Sequence, residues 1–264
     1  MKKITIIFSL LTTFGAAPGF LHAQSGGLDP ADILKPLSDQ WTSFSGDMSG
    51  KRFSPLKSIN LNTIKGLGLK WANTSITTGC GPDGTGPAGG AGGRGGGGRG
   101  GAGLIVAGLG NGESNTCGPA RFGGAMLFVD NTIYAATRDD VYSIDARDGS
   151  VLWHYYWKFR GGTSTGTRGP SMWHNYIFFT FHDNYVVCLD AKTGKEVWKK
   201  EIAPFDQQYF SSNVPLVIGN HILVGPGNDM DAPAWLQALD PETGAIQWTH
   251  YNTPQNPGDP GLET

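Results

Sequence analysis

Three segments of this 264-residue chain align with one another without a gap. They are Tyr142–Trp153, Val187–Trp198 and Gln237–Trp248, and each reads x-x-[Ile/Leu]-Asp-[Ala/Pro]-x-x-Gly-x-x-x-Trp. The tryptophans lie 45 and 50 residues apart, a period that points to a solenoid or a propeller. In each unit an alternating run ends at the Asp, and Asp-x-x-x-Gly forms a turn whose glycine is free to take positive φ. A second run then carries the Trp. Further β-rich runs precede each unit, among them 125–129 with 132–136, 176–180, and 215–218 with 221–224. Four short strands per repeat make a propeller blade, and almost no helical periodicity competes beyond the first forty residues. The regularly placed Trp is read as a plug that staples neighbouring blades together.

Composition bears on one region only. Of 41 glycines, 21 fall between Gly79 and Gly124. No three-residue period extends beyond that patch, which excludes a collagen. Eight Trp, eight Tyr and 13 Phe exclude a wholly disordered chain. The glycines are assigned to an insertion over 77–122, between a lead-in strand ending near Trp71 and the first complete blade. The two arginines of its tract Gly92–Gly101, Arg94 and Arg99, are too few for an RNA-binding tract, and no Gly-Lys-[Ser/Thr] follows to make a phosphate loop. A formal net charge of −2 gives no reason to expect a nucleic acid or a polybasic membrane contact.

Met1-Lys2-Lys3, the apolar run Ile4–Leu11 and Ala23 have the layout of a secretory signal peptide over 1–23, with an apolar run too short to span a bilayer. The expected location of residues 24–264 is therefore periplasmic or secreted, without stable membrane insertion. Cys80 and Cys117 flank the glycine-rich patch. In an oxidising compartment they either form a bridge at its base or remain free, and spacing does not decide between the two. Cys188, inside Tyr185-Val186-Val187-Cys188-Leu189, reads as a small buried hydrophobe. No Cys-x-x-Cys-His occurs for a c-type haem, and no Cys or His pair has zinc-site spacing. His154, His174, His182, His221 and His250 read as structural or surface residues.

The Asp-Ala-x-Thr-Gly-x-x-x-Trp repeat resembles the tryptophan-docking motif of quinoproteins, the eight-bladed propellers that bind pyrroloquinoline quinone (PQQ). The segment Trp41–Leu56, followed by Ile59-Asn60 and Leu67-Gly68-Leu69-Lys70-Trp71, is similar to the lead-in of the same family. The fold this implies is all-β, a partial quinoprotein-type propeller of about three complete four-stranded blades plus an N-terminal lead-in strand. The function implied is that of a periplasmic PQQ-dependent dehydrogenase. Such an enzyme oxidises an alcohol or sugar-type substrate with Ca²⁺-assisted quinone chemistry and passes electrons to a separate cytochrome or other acceptor. The alternative is a non-enzymatic propeller of the same repeat, acting as a protein-binding scaffold in the envelope.

Carried over position by position, the resemblance assigns Arg168, in Thr167-Arg168-Gly169-Pro170, to the quinone oxygens, where a guanidinium fork suits an anionic polycarboxylate. Ser212, three residues before Pro215, matches a hydroxyl residue that bonds a cofactor carboxylate. Asp229 falls where the family places a Ca²⁺-binding Glu. Gly227 and Asn228 belong to the same stretch and are carried across as cofactor contacts. Ca²⁺ takes several hard oxygen ligands, and Asp is one methylene shorter than Glu.

Two departures are visible. The vicinal cysteines of many family members would fall near Gly162-Thr163, and an acidic residue common in the family falls near Gly123. The catalytic Asp, the second metal ligand and the aromatic floor of the family are expected beyond Thr264. The chain is accordingly expected to be an N-terminal fragment, inactive alone, with its catalytic residue unknown.

Overall fold

A computed structural model of the chain describes residues 27–78, 104–110, 118–119, 122–161, 167–227 and 232–259. In chain order the described strands are β1 (Thr77–Thr78), β2 (Leu104–Ala107), β3 (Gly118–Pro119), β4 (Leu127–Val129), β5 (Thr132–Ala136), β6 (Asp140–Asp145), β7 (Val151–Trp157) and β8 (Ser171–Trp173). They continue with β9 (Tyr176–Thr180), β10 (Tyr185–Asp190), β11 (Glu196–Glu201), β12 (Leu216–Ile218), β13 (His221–Val224), β14 (Trp235–Leu239) and β15 (Ile246–Tyr251). One short helix, α1 (Pro30–Ile33), is capped by the Asp29 carboxylate, which accepts from the Ala31 N–H at 2.9 Å.

The architecture is all-β, and the three repeats become three antiparallel four-stranded meanders. β4–β7 form blade 1, β8–β11 blade 2 and β12–β15 blade 3, with sequence neighbours pairing throughout. The turns explain why. Asp130 and Asn131, both at positive φ (50° and 57°), make the two-residue hairpin between β4 and β5. Each Asp of the repeat then closes its own turn. The Asp190 carboxylate accepts from the Lys192 and Thr193 N–H groups and the Thr193 hydroxyl, and Asp240 repeats this with Glu242 and Thr243. In blade 1 Arg147 takes over. Its guanidinium, together with its own N–H, holds the Asp145 carboxyl down to about 2.

The tryptophans latch one blade to the next, as the sequence predicts. The Trp153 Nε1 donates to the Ala191 carbonyl of blade 2, and the Trp198 Nε1 to the Pro241 carbonyl of blade 3, both at 2.9 Å. In both cases the indole lies on the glycine of the receiving turn. A Cβ on Gly194 would stand 2.7 Å from the Trp153 ring, and one on Gly244 would stand 2.6 Å from Trp198. These glycines are at φ +71° and +69°, so two constraints meet in one residue. A bulge at the same repeat position of each blade, between Ser143/Ile144, Cys188/Leu189 and Ala238/Leu239, sets the outermost strand just before its Trp.

Between blades 1 and 2 the core is aromatic. Trp157 and Phe181 stack with centroids 5.1 Å apart, and Tyr134 donates to the Ala191 carbonyl at 3.3 Å. Cys188 is buried in this core with a free thiol, as expected for a small hydrophobe.

Two features differ from the expectation. The lead-in segment has no strand at 67–71, because no described strand lies beside it to complete a ladder. Trp71 nevertheless docks as the other latches do, donating to the Ala146 carbonyl at 2.9 Å with its ring against Gly149. Residues 51–70 leading to it are exposed throughout. The glycine-rich insertion, in turn, is partly integrated into the fold. Its β2 adds a fifth, parallel strand to the outer edge of blade 1, and β1 pairs with β3 to close the base of the segment between them. Cys80 and Cys117 lie outside the described residues.

The latch geometry separates two glycines that share a left-handed backbone. Gly219 (φ +58°) faces open space, whereas Gly194 faces the Trp153 ring. Gly219→Ala is expected to cost about 1 kcal/mol of backbone strain, and Gly194→Ala about 3 kcal/mol or more, since the indole must also shift. Urea unfolding of the two variants measures the difference.

Candidate functional site

The inner strands β8 and β12 of blades 2 and 3 touch, and two of the sequence-predicted residues, Arg168 and Ser212, lie in the segments that lead into them. Between these segments a cavity of about 400 Å³ opens. Arg168 and Ser171 reach it from blade 2, Asn213 and Pro215 from blade 3, and its wall is mainly apolar. The remaining side is closed by Ile33 of α1 and by Thr42, Ser43 and Phe44.

That N-terminal stretch is held along the inner edges of the blades by two bridges. Leu28 exchanges hydrogen bonds with His174 (3.0 and 2.7 Å), and Trp41 with Phe128 (both 2.9 Å). The sequence singled out Trp41–Leu56 by resemblance but gave no sign that Thr42–Phe44 would face Arg168. Only the path of the chain places them there.

The backbone at Arg168 is fixed by close approach. Its carbonyl accepts from the Ala125 N–H at 3.1 Å, and Gly124 and Gly169 both sit where a Cβ would strike backbone atoms 2.1 and 2.4 Å away. The Arg168 side chain is exposed and makes no hydrogen bond or ion pair among the described residues. On the same wall the Ser171 Oγ, and on the blade 3 wall the Asn213 Oδ1, are buried without a partner. Orphaned polar atoms and an exposed guanidinium around an apolar wall suit a polar-edged aromatic anion, so the cavity fits a molecule of that chemistry.

The other assigned positions divide. Ser212 is half-buried and adjoins the cavity through Asn213. Its neighbour Ser211 donates to the Asn184 Oδ1 at 3.0 Å, and Asn184 in turn donates to the Tyr209 carbonyl at 2.7 Å, which ties the segment to the β9–β10 turn. Gly227 exchanges hydrogen bonds with Phe210 (3.0 and 2.8 Å), so its strand runs beside the Ser212 segment. A Cβ on Gly227 would press on the Phe210 ring at 3.2 Å. Asn228, Asp229 and Gly162-Thr163 lie outside the described residues. Gly123 faces open space. No group of three metal-ligating side chains occurs among the described residues.

Behind the cavity lies a buried polar seam that the sequence did not reveal. The β5–β6 turn brings Arg138, Asp139 and Asp140 inside, and the β9–β10 turn brings His182 and Asp183. The Asp183 carboxylate accepts from the Trp157 Nε1 at 2.9 Å and the Arg160 N–H at 3.2 Å. Arg160 also reaches Glu201 at 2.5 Å and lies over the Phe205 ring at 4.7 Å. Asp140 lies 2.7 Å from the His154 Nε2. Burial pushes Asp139 upward, reinforced by the charge of Asp140. Burial lowers His182 to about 4, with the Arg138 charge acting in the same direction.

The fold defines the class, a set of quinoprotein-type propeller blades with a cavity between the inner strands of two of them. The repeat family described as outer membrane protein assembly factor BamB matches residues 137–260. By sequence the chain is similar to quinoprotein alcohol dehydrogenases. It is 27% identical over 272 residues to quinohemoprotein alcohol dehydrogenase ADH IIB of Pseudomonas putida, covering 99% of this chain and 33% of that protein. It is 26% identical to the dehydrogenase subunit of alcohol dehydrogenase (quinone) of Gluconobacter oxydans, covering 83% of this chain and 26% of that protein. The quinohemoprotein alcohol dehydrogenase of Comamonas testosteroni superimposes with a TM-score of 0.63 at 22% identity, over 88% of this chain and 30% of that one, and shows the same fold. The chain thus spans a third or less of the length of these relatives. Among the described residues no helix is long and apolar enough to cross a membrane.

The two shifted groups of the seam oppose each other. His182 titrates lower in the folded protein, so its contribution is present above its ordinary value of 6.5 and is lost as pH falls towards about 4. Asp139 titrates higher, so its contribution is present below the ordinary carboxylate value of 3.8 and is lost as pH rises. Relative to the unaltered protein, Asp139→Asn is expected to steepen the gain of stability with rising pH. His182→Gln is expected to reverse it. Urea midpoints measured between those two pH values report both slopes.

Proposed function

We propose that this chain supplies the blade 1 to blade 3 side of a PQQ site in an exported dehydrogenase acting on an alcohol or sugar-type substrate. The observation that carries the reading is the cavity between the inner strands of blades 2 and 3, with unpartnered Arg168 at its edge. When bound, PQQ supplies the redox chemistry by accepting the substrate's hydride equivalent. The residues of this chain bind and orient it. Arg168 faces its anionic edge, the Ser212 hydroxyl meets a carboxylate, and the apolar wall with Phe44 excludes water. By the resemblance, Gly227 and Asn228 would contact the cofactor, and Asp229 would offer a carboxylate to a Ca²⁺ ion that would polarise the quinone. The catalytic base, the remaining metal ligands and the electron acceptor belong to parts of the site that three blades do not contain, and the chain alone is inactive.

The match to the BamB repeat family favours one second reading, an envelope scaffold that binds protein and no quinone. Titration with PQQ and Ca²⁺, followed by the quinone absorbance, separates the two. The dehydrogenase reading expects weak saturable uptake, reduced about tenfold or more in Arg168→Ala, with no dye-linked alcohol oxidation. Absence of saturable uptake favours the scaffold, and alcohol oxidation by this chain alone overturns its assignment as part of a larger site.

A further inference from the structure

Asn184 meets two demands at once. It lies in the turn between β9 and β10 at φ +65°, a left-handed conformation in which glycine is the default and asparagine a tolerated side-chain-bearing alternative. It is also fully buried, so its amide has to be satisfied within the protein. Both halves of the amide are. The Asn184 Nδ2 donates to the Tyr209 carbonyl at 2.7 Å, and its Oδ1 accepts from the Ser211 hydroxyl at 3.0 Å. Glycine would keep the turn and lose both bonds, and aspartate would keep the acceptor and lose the donor.

These bonds clamp the connection from blade 2 to blade 3 at both ends. The Asn184 carbonyl accepts from the Ile202 N–H at 2.9 Å, directly after β11, and the side chain takes the same connection at 209 and 211, directly before Ser212 and Asn213. From there the segment reaches blade 3 twice. Phe210 exchanges hydrogen bonds with Gly227, and the Tyr209 hydroxyl donates to the Pro233 carbonyl at 2.7 Å. Tyr209 and Ser211 are themselves buried. Ser212 and Asn213 are thus the first residues past the clamp, and Asn213 lines the cavity whereas Asn184 does not. The opposite wall is held by another bond, from the Ala125 N–H to the Arg168 carbonyl, in which Asn184 takes no part.

We propose that Asn184 is a positioning residue for the cavity, which sets where the Ser212 hydroxyl and the Asn213 amide stand without itself reaching a ligand. Polar side chains on an untethered loop lose freedom when they bind, and that ordering weakens affinity. A loop already clamped by a buried amide has lost the freedom before the ligand arrives, so its hydroxyl and amide are pre-organised. A role confined to the turn would ask only for a left-handed backbone, which glycine supplies at least as well. Positioning asks for the amide, which glycine lacks. The ligand in this account rests on the cofactor reading, whereas the placement of the wall rests on the hydrogen bonds alone.

Asn184→Gly in the full chain, which keeps the turn, tests this in two measurements. In native-state hydrogen exchange the Phe210 and Ser211 N–H groups are expected to exchange at least about tenfold faster, while those of β9 and β10 keep their rates. Unchanged rates at 210 and 211, or an equal rise throughout blade 2, overturn the placement. In titration with PQQ in the presence of Ca²⁺, uptake is expected to weaken about tenfold. Because Asn184 acts through the Ser212 wall, that loss is expected to be less than additive with Ser212→Ala and additive with Arg168→Ala. Uptake equal to that of the unaltered protein, or a loss fully additive with Ser212→Ala, overturns the positioning role. Ser211→Ala removes one of the bonds from its other end and serves under the same criteria where Asn184→Gly does not fold. If the unaltered chain takes up no PQQ, the cofactor reading falls, and the exchange rates still decide whether Asn184 places the wall.

Discussion

An indole laid on a glycine, with its N–H given to a carbonyl of the same turn, organises this molecule. Replacing a buried Trp with Ala typically costs about 3–5 kcal/mol, and here the contact is made between blades rather than within one. Each latch joins the outermost strand of one sheet to the turn before the outermost strand of the next. The Trp153 ring and its 2.9 Å bond to Ala191 therefore fix blade 2 against blade 1 with one side chain. Four-stranded sheets whose strands have three to seven residues are weak units alone. Their stability comes from the apolar layer that the latches hold shut, which is why the buried core runs continuously from Leu28 to Leu239.

The same spacing between blades creates both the cavity and the polar seam. Inner strands converge, so the segments leading into β8 and β12 are forced together, and Arg168 and Asn213 meet without any local sequence feature that joins them. A little further out, the tips of β5–β6 and β9–β10 bring buried polar side chains between the blades. Trp157, Asp183, Arg160 and Glu201 form a hydrogen-bonded chain there. Such a network is costly unless satisfied, and the opposite shifts of Asp139 and His182 mark where desolvation outweighs the partners.

Legibility in the sequence followed the range of the contacts. The blade, its Asp turn and its stapling Trp are local or repeat three times, so period and turn chemistry were enough to read them. The seam was not legible, because Asp139 and His182 lie 43 positions apart with no shared motif, and ordinary turn residues look the same whether buried or exposed. Arg168 could be placed by resemblance, but its neighbours Thr42–Phe44 could not, since their position depends on a backbone bridge from Trp41 to Phe128. The lead-in segment shows the limit from the other side. Leu67–Trp71 reads as a strand, yet a strand exists only beside a partner, and what the segment keeps without one is the latch of Trp71.

Glycine connects these observations. At Gly149, Gly194 and Gly244 it makes room for an indole, and at Gly124 and Gly169 it lets two backbones approach so that Arg168 stands at the cavity edge. These are five positions at which a single Cβ would strike either a ring or a main chain, and each joins one blade, or the lead-in segment, to another. The glycines concentrated between 79 and 103 make up a far larger number, yet the strand that follows them, β2, attaches to the blade through Leu104, Ile105, Val106 and Ala107, with no glycine. The abundance of glycine in the composition and its mechanical importance therefore lie in different parts of the chain. The site depends on the sparse glycines: adding a methyl group at Gly169 would push Ala125 away and move the guanidinium that faces the cavity, although neither residue would touch a bound ligand.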